Sequence, residues 1–178
     1  MISSALQQLY NEHLHILLVI DQLREVVESH DLASRGEEVR ALLDFFREYG
    51  DNFHHHKEEH ILFPVLAETN PGIALLIENL EEHHEQFRDA LTAADSALAD
   101  EDWGSVRDTL IKYVSDLTDH ISAEDEALFV SADEMLTESE KERIHFLFMD
   151  ADRELGVDRK QEYEGLAHQR SFAGGDRG

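Results

Sequence analysis

Apolar residues recur along most of the chain at spacings of three and four positions, and the alternation typical of exposed strands is missing. In the first segment, Leu6, Leu9, Ile16 and Ile20 follow this spacing. Such a period places an apolar stripe along one face of an α-helix. The chain has only two prolines, and its glycines lie between these segments or near the end. The pattern therefore predicts an all-α protein.

Capping signals divide the apolar pattern into five predicted helices. Their predicted ranges are about 4–29, 34–68, 70–99, 102–132 and 137–155. The residues predicted to cap their N-termini are Ser4, Ser34, Asn70, Asp102 and Thr137.

Four long helices joined by short loops predict an up-down-up-down four-helix bundle over residues 1–133. An additional C-terminal helix within 134–156 is expected to pack across this bundle, and a contact in a homo-oligomer is the alternative. Residues 157–178 are polar and end in Gly-Gly-Asp-Arg-Gly, so they are predicted to form a flexible tail.

Two segments repeat one pattern: residues 54–63 read HHHKEEHILF and residues 120–129 read HISAEDEALF. Each begins with a histidine, has a glutamate four positions later and a second acid next to it, and ends in Leu-Phe. Residues four apart lie on one face of a helix, one turn from each other. The pairs His54/Glu58 and His120/Glu124 can therefore direct two nitrogen and two oxygen ligands to a site for two iron-like ions.

Helical phase sorts the other histidines. In the first helix His13 lies in phase with the apolar stripe, whereas His15 and Glu12 share a polar face and are predicted to face water. In the third helix the adjacent residues His83 and His84 differ by about 100° in direction, so only one is expected to point inward. The regular apolar series favours His84, and His83 is the alternative.

The remaining histidines of the second helix, His55, His56 and His60, are predicted to form a solvated surface strip. The two glutamates are different, because an unpaired buried carboxylate costs several kcal/mol. The phase of the helices offers no lysine or arginine facing the core that could neutralise Glu58 and Glu124. Bound metal ions are therefore the preferred explanation for these two acids.

Composition and charge exclude several classes of function. The net charge of −25 at pH 7 argues against binding to nucleic acids or anionic membranes. The absence of cysteine excludes disulfides, thiolate nucleophiles and metal sites built on sulfur. No apolar stretch resembles a secretion signal or a membrane span, so the protein is predicted to be cytoplasmic.

These motifs resemble those of the hemerythrin-like family of HHE cation-binding proteins, over about residues 5–132. HHHKEEHILFP at 54–64 and DHISAEDEALF at 119–129 are specific, whereas Glu12-His13 and EEHHEQFRDAL at 81–91 are weak by themselves. The resemblance implies a non-haem di-iron centre inside the bundle, with Glu58 and Glu124 bridging the two irons. The terminal nitrogen ligands that it implies are His13, His54, His84 and His120.

The sequence departs from the oxygen-carrying members of this family at two points. Those proteins place two histidines four apart on the third helix, but Arg88 stands four positions after His84 here. A fifth histidine is therefore missing, which leaves more open positions on the metals. The carriers also use an acid five residues after the histidine of the fourth helix, which here is Asp125. The internal repeat favours Glu124, and Asp125 remains the alternative.

The resemblance implies that the reduced centre binds or reduces O2, NO or peroxide, in stress response, sensing or iron handling, with an unidentified redox partner. Mixed imidazole and carboxylate ligands suit iron, and they suit manganese as well. One alternative is a ferritin-like di-iron oxidase, whose Glu-x-x-His spacing occurs at Glu12/His15 and Glu81/His84. The other is a metal-buffer module without turnover. The sequence does not decide whether the protein is an enzyme.

Overall fold

A computed structural model of the protein describes residues 2–169, and this part of the chain is almost entirely helical and contains no strand. The all-α prediction is confirmed. Within residues 2–169, six helices occur in chain order: α1 Ser4–Glu28, α2 36–69, α3 Ala74–Ala99, α4 103–135, α5 Glu138–Leu155 and α6 Val157–His168. Between residues 2 and 169, no helix combines the length and the apolar character that crossing a membrane requires.

The first four helices form the predicted bundle. Helix α1 packs against α2 and α4, and α3 packs against the same two helices from the opposite side. Short loops make consecutive helices antiparallel neighbours, which gives the up-down-up-down order. The prediction of a four-helix bundle with an additional C-terminal helix is therefore confirmed.

Three of the predicted caps are confirmed. The Ser105 amide donates to the Asp102 carboxylate at the start of α4 (3.1 Å). Before α5, the amide of Thr137 donates to Glu140 (2.7 Å) and the amide of Glu140 donates to the Thr137 hydroxyl (3.3 Å), which completes a capping box. Asn70 caps a 3₁₀ turn that leads into α3. These side chains satisfy backbone donors that have no partner within the helix.

Two of the predicted capping residues are wrong, although the first helix begins at Ser4 as predicted. Helix α1 is capped by Ser3 instead of Ser4, because the Ser3 hydroxyl accepts from the amide of Leu6. Ser34 lies inside a 3₁₀ turn, Leu32–Arg35, and its hydroxyl donates to the carbonyl of Asp31. The α-helical hydrogen bonds of α2 consequently begin two residues later, at Gly36–Phe45.

Wide π-helical turns interrupt α2 and α4 where the two sequence repeats lie. They span Phe46–His55 and Glu58–Leu62 in α2, and Glu124–Leu128 in α4. In such turns each amide bonds to the carbonyl five residues earlier, so the side chains advance by a smaller angle than in an α-helix. The directions that an α-helical period predicts therefore fail for some residues of these segments.

The C-terminal helices extend the bundle on the side of α1. Helix α5 packs across α1 and α2 and buries Ile144 and Phe148 there. The predicted flexible tail is wrong for residues 157–168, because α6 packs against α1 and α5 and buries Tyr163 and Ala167. These two residues are one turn apart, so they form an apolar stripe too narrow to stand out in a polar segment. Residues 170–178 of that predicted tail lie outside the described residues.

The interior contains two apolar clusters with a polar layer between them. The larger cluster includes Ile20, Leu23 and Phe46, and the smaller one includes Phe63 and Phe129. Buried histidines and glutamates occupy the level between the two clusters. The helices therefore bury ionisable groups in the middle of the bundle, where an apolar core would be expected.

We predict that Phe148→Ala lowers the free energy of unfolding by about 3–5 kcal/mol, because Phe148 is fully buried where α5 meets the bundle. Urea unfolding of the metal-free protein measures this change. Phe146→Ala is the matched control, since this side chain in the same helix is 56% exposed, and it should change the stability by less than about 0.5 kcal/mol. Equal effects of both substitutions would contradict the observed packing of α5.

Candidate metal centre

The six residues predicted as ligands meet in the polar layer, and at most 2% of each is exposed. One histidine comes from each of the four helices of the bundle, and one glutamate comes from α2 and one from α4. These residues are His13 on α1, His54 and Glu58 on α2, His84 on α3, and His120 and Glu124 on α4. Each of these side chains lies on the face of its helix that the α-helical period predicts, and packing of the four helices brings all six together.

The carboxylate of Glu58 lies between two histidines from different helices. Its Oε1 is 3.5 Å from Nε2 of His54, and its Oε2 is 3.6 Å from Nε2 of His84. The two oxygens of one carboxylate thus face two separate imidazoles, as a carboxylate that bridges two cations requires.

The carboxylate of Glu124 repeats this arrangement. Its Oε2 is 3.3 Å from Nε2 of His13, and its Oε1 is 3.3 Å from Nε2 of His120. The rings of His13 and His54 are neighbours, with centroids 4.6 Å apart, and the rings of His84 and His120 are neighbours at 4.8 Å. The centre therefore has two halves, each with two imidazoles, and both carboxylates reach both halves.

The polar atoms of this centre fit bound cations. Both oxygens of Glu58 and Glu124 and the Nε2 atoms of His13 and His54 are buried without a hydrogen-bond partner. Within residues 2–169, no lysine or arginine forms an ion pair with either glutamate. Buried polar atoms without partners are costly, and an imidazole and carboxylate donor set suits iron or manganese. A pair of metal ions would satisfy these atoms.

Three of the imidazoles contact a carboxylate on the side of the ring that faces away from the centre. In each case the acid accepts a hydrogen bond from Nδ1, which leaves the lone pair of Nε2 directed into the centre. The pairs are His13 with Asp125 (2.7 Å), His54 with Glu12 (3.0 Å) and His84 with Glu59 (2.8 Å).

The structure also places the residues that the sequence left as alternatives. Glu124 is fully buried and faces the centre, whereas Asp125 lies behind His13. His84 is fully buried, whereas His83 is exposed and its Nδ1 contacts Nδ1 of His120 at 3.3 Å. Glu124 therefore faces the centre and Asp125 does not, and His84 faces the centre and His83 does not.

The prediction that His55 belongs to a surface strip is wrong. His55 is buried, and one of its nitrogens lies within 4.8 Å of a nitrogen of His84 and a nitrogen of His120. Its ring stacks face to face on His84, with centroids 3.7 Å apart and planes at 10°. Because the lone pair of an imidazole lies in the ring plane, two stacked rings cannot both direct lone pairs at one ion. His55 thus covers His84 and does not replace the missing fifth histidine in this arrangement.

Helical phase also misplaced Glu12 and Lys57. Glu12, predicted to face water, is buried behind His54, and Lys57 is fully buried although no core-facing lysine was expected. The Lys57 ammonium lies 2.5 Å from Glu12 and 2.6 Å from Asp152 of α5. A π-helical turn precedes Lys57 and another comes after it, so an α-helical period does not give its direction. Its partners, at positions 12 and 152, are far away in sequence, so no local signal identified them.

The metal-free centre distributes its protons unevenly. Burial raises the pKa of Glu58 well above its usual value, and repulsion from Glu124 adds to this. Burial also opposes ionisation of Glu124, but His120 and His13 outweigh it and hold the pKa of Glu124 well below its usual value. Burial similarly opposes the charge on His13, yet Asp125 and Glu124 raise the pKa of His13 to about 9. Metal binding at neutral pH must therefore displace protons.

A comparison with protein families identifies the same part of the chain. The family model of the hemerythrin HHE cation binding domain matches residues 4–131. This match contains all six residues of the centre and ends before α5 and α6. No curated protein and no solved structure matches the chain.

We predict that the metal-free protein loses stability between pH 6.5 and pH 9. The folded pKa of His13 is about 9, above the ordinary 6.5, so its stabilising contribution is complete below pH 6.5 and is lost as the pH rises through 9. The raised pKa of Glu58 acts in the same direction. The contribution of His13 to the free energy of unfolding should fall by an amount on the order of 3 kcal/mol. Urea unfolding in the presence of a chelator measures this change.

His13→Gln is the control for this pH dependence, because it keeps a polar side chain and removes the titrating group. Its stability should fall less over the same interval. A wild-type stability that stays constant or rises between pH 6.5 and pH 9 would contradict the prediction.

Proposed function

Because the chain belongs to the hemerythrin family of HHE cation-binding domains, we propose that it is a non-haem di-iron protein that binds or reduces O2, NO or peroxide. The observation that carries this proposal is the placement of Glu58 and Glu124. In each carboxylate, one oxygen faces a histidine of one half of the centre and the other oxygen faces a histidine of the other half. A pair of carboxylates in this position can hold two ions a few ångströms apart.

The number of donors favours binding of a small exogenous ligand. Four imidazoles and two carboxylates supply fewer donor atoms than two octahedral ions accept. The stacked position of His55 leaves this deficit in place. Bound iron would supply open coordination positions and a reversible change of oxidation state. The chain's own residues hold the ions and orient the imidazoles.

Aromatic rings close the centre towards the smaller apolar cluster. Phe63 stacks on His84 and Phe129 stacks on His13, with interplanar angles of 17° and 14°. These phenylalanines occupy the last position of the two sequence repeats, so each repeat supplies a histidine, a glutamate and an apolar cover. Such covers exclude bulk water and strengthen the electrostatic interactions inside the centre.

A surface cavity of about 260 Å³ lies between α3 and α4 and reaches the centre. Its lining includes His120 together with His83, Phe87 and Asp119. A diatomic molecule or peroxide is small enough to enter a cavity of this size. The cavity therefore supports a small ligand that approaches from the side of His120.

The ferritin-like alternative needs its own glutamates on the metal. Glu12 instead accepts hydrogen bonds from His54 and Lys57, and Glu81 is exposed on α3. This placement favours the His-x-x-x-Glu pairs of α2 and α4. A metal buffer would use the same six residues, and only the reactivity of the loaded protein separates it from the proposed function.

We predict about two irons per chain after anaerobic loading of the untagged protein with ferrous ions, measured by elemental analysis. Glu58→Ala should lose most of this iron, because it removes a carboxylate that faces both halves. His60→Ala is the control, since His60 lies on the same helix and is exposed, and its iron content should equal that of the wild type. No bound iron in the wild type, or full iron content in Glu58→Ala, would overturn the proposal.

The absorption spectrum of the reduced, iron-loaded protein tests the ligand. We expect new charge-transfer bands in the near ultraviolet and visible on addition of NO, O2 or peroxide. An unchanged spectrum with all three, at about two irons per chain, would leave the metal buffer as the function.

A further inference from the structure

A fully buried lysine stands next to the candidate metal centre. The ammonium of Lys57 contacts Glu12 at 2.5 Å and Asp152 at 2.6 Å, and it lies 3.8 Å from the centroid of the Phe53 ring. A buried ammonium is stable only when several acceptors replace its water. Two carboxylates and an aromatic face provide them here, so the charge is retained inside the protein.

Glu12 connects this charge to a candidate ligand. One oxygen of its carboxylate accepts from the Lys57 ammonium, and the other lies 3.0 Å from Nδ1 of His54. Both oxygens of the Glu12 carboxylate therefore act as acceptors, and the carboxylate is shared between a fixed cation and an imidazole of the centre.

The other imidazoles have different surroundings. Glu59, behind His84, is paired with Arg88, whose side chain is 38% exposed. Asp125, behind His13, forms no ion pair with a lysine or arginine within residues 2–169. Solvent screens the charge of an exposed arginine, whereas Lys57 acts through a medium of low polarity. His54 is thus the imidazole whose supporting acid is opposed by a buried positive charge.

Helices outside the family match hold this lysine in place. Asp152 belongs to α5, and it also binds Lys160 of α6 and Gln8 of α1 (2.5 and 2.9 Å). The hemerythrin match ends at residue 131, so its residues supply Glu12, Lys57 and His54 but not Asp152. The C-terminal helices therefore complete the surroundings of His54.

From this network we infer that Lys57 is a positioning residue that limits electron donation by His54 through Glu12, and that Asp152 anchors it from α5. The inference rests on the proposed di-iron function. An anionic acceptor at Nδ1 makes an imidazole a stronger donor, which favours the oxidised form of a bound metal. The positive charge of Lys57 opposes the negative charge of Glu12 and so reduces electron donation by His54. Lys57 thereby raises the reduction potential on the His54 side of the centre.

Two substitutions with opposite expected effects test this inference. In the full-length, iron-loaded protein, Lys57→Met leaves the Glu12 charge unopposed, so the midpoint potential should shift to more negative values. Glu12→Gln removes the acceptor's charge and retains Lys57, so the potential should shift to more positive values. A spectroelectrochemical titration measures both shifts, and elemental analysis establishes that the iron content equals that of the wild type.

Asp152→Asn extends the test to α5 and covers the case in which Lys57→Met does not fold. It removes a negative charge that is farther from His54, so the potential should shift to more positive values by less than in Glu12→Gln. Asp150→Asn is the matched control on the same helix, because Asp150 is paired with Arg153 and is 58% exposed. Its potential should equal that of the wild type.

Potentials that stay unchanged, or that shift in the same direction for Lys57→Met and Glu12→Gln at unchanged iron content, would overturn the inference. A purely structural role for the network gives one of these results. Absence of iron from the wild-type protein would instead overturn the proposed function, and this inference with it.

Discussion

Two carboxylates are buried in the middle of the bundle, and all four of its helices contribute side chains that compensate this burial. Glu58 and Glu124 are fully buried, and their oxygens have no hydrogen-bond partner within the described residues. Such groups are tolerated only where other charges or ions compensate them. Imidazoles from all four helices face these oxygens, so every helix of the bundle takes part in the compensation. Folding of the bundle and binding of metal are therefore coupled.

The polar layer also determines how the apolar core is divided. A larger apolar cluster lies on one side of it and a smaller one on the other, and Phe63 and Phe129 cover the imidazoles from the smaller cluster. Behind the imidazoles, Asp125, Glu12 and Glu59 fix the Nδ1 atoms. Three acids and two phenylalanines thus orient the imidazoles of His13, His54 and His84 towards the centre.

The helices after residue 135 contribute to this enclosure and do not merely cover one side of the bundle. Helix α5 supplies Asp152 to the buried Lys57, and α6 supplies Lys160 to Asp152. The family match contains the six residues that face the centre, but the polar network behind His54 crosses its boundary. Properties of the metal centre can therefore differ between chains that share these six residues and have different C-terminal helices.

The all-α bundle and the residues His13, His54, Glu58 and His120 could be predicted from the sequence, because the apolar period and the His-x-x-x-Glu repeats are local signals. The sequence favoured His84 and Glu124 but kept His83 and Asp125 as alternatives. Packing of the helices selects His84 and Glu124 as the ones that face the centre, and it also sets the positions of His55, Glu12 and Lys57 and the helical state of residues 157–168. The π-helical turns of α2 change the direction of its side chains, so an α-helical period misplaces His55 and Lys57. Glu12 and α6 are buried by partners far away in sequence, and such contacts exist only once the helices have packed.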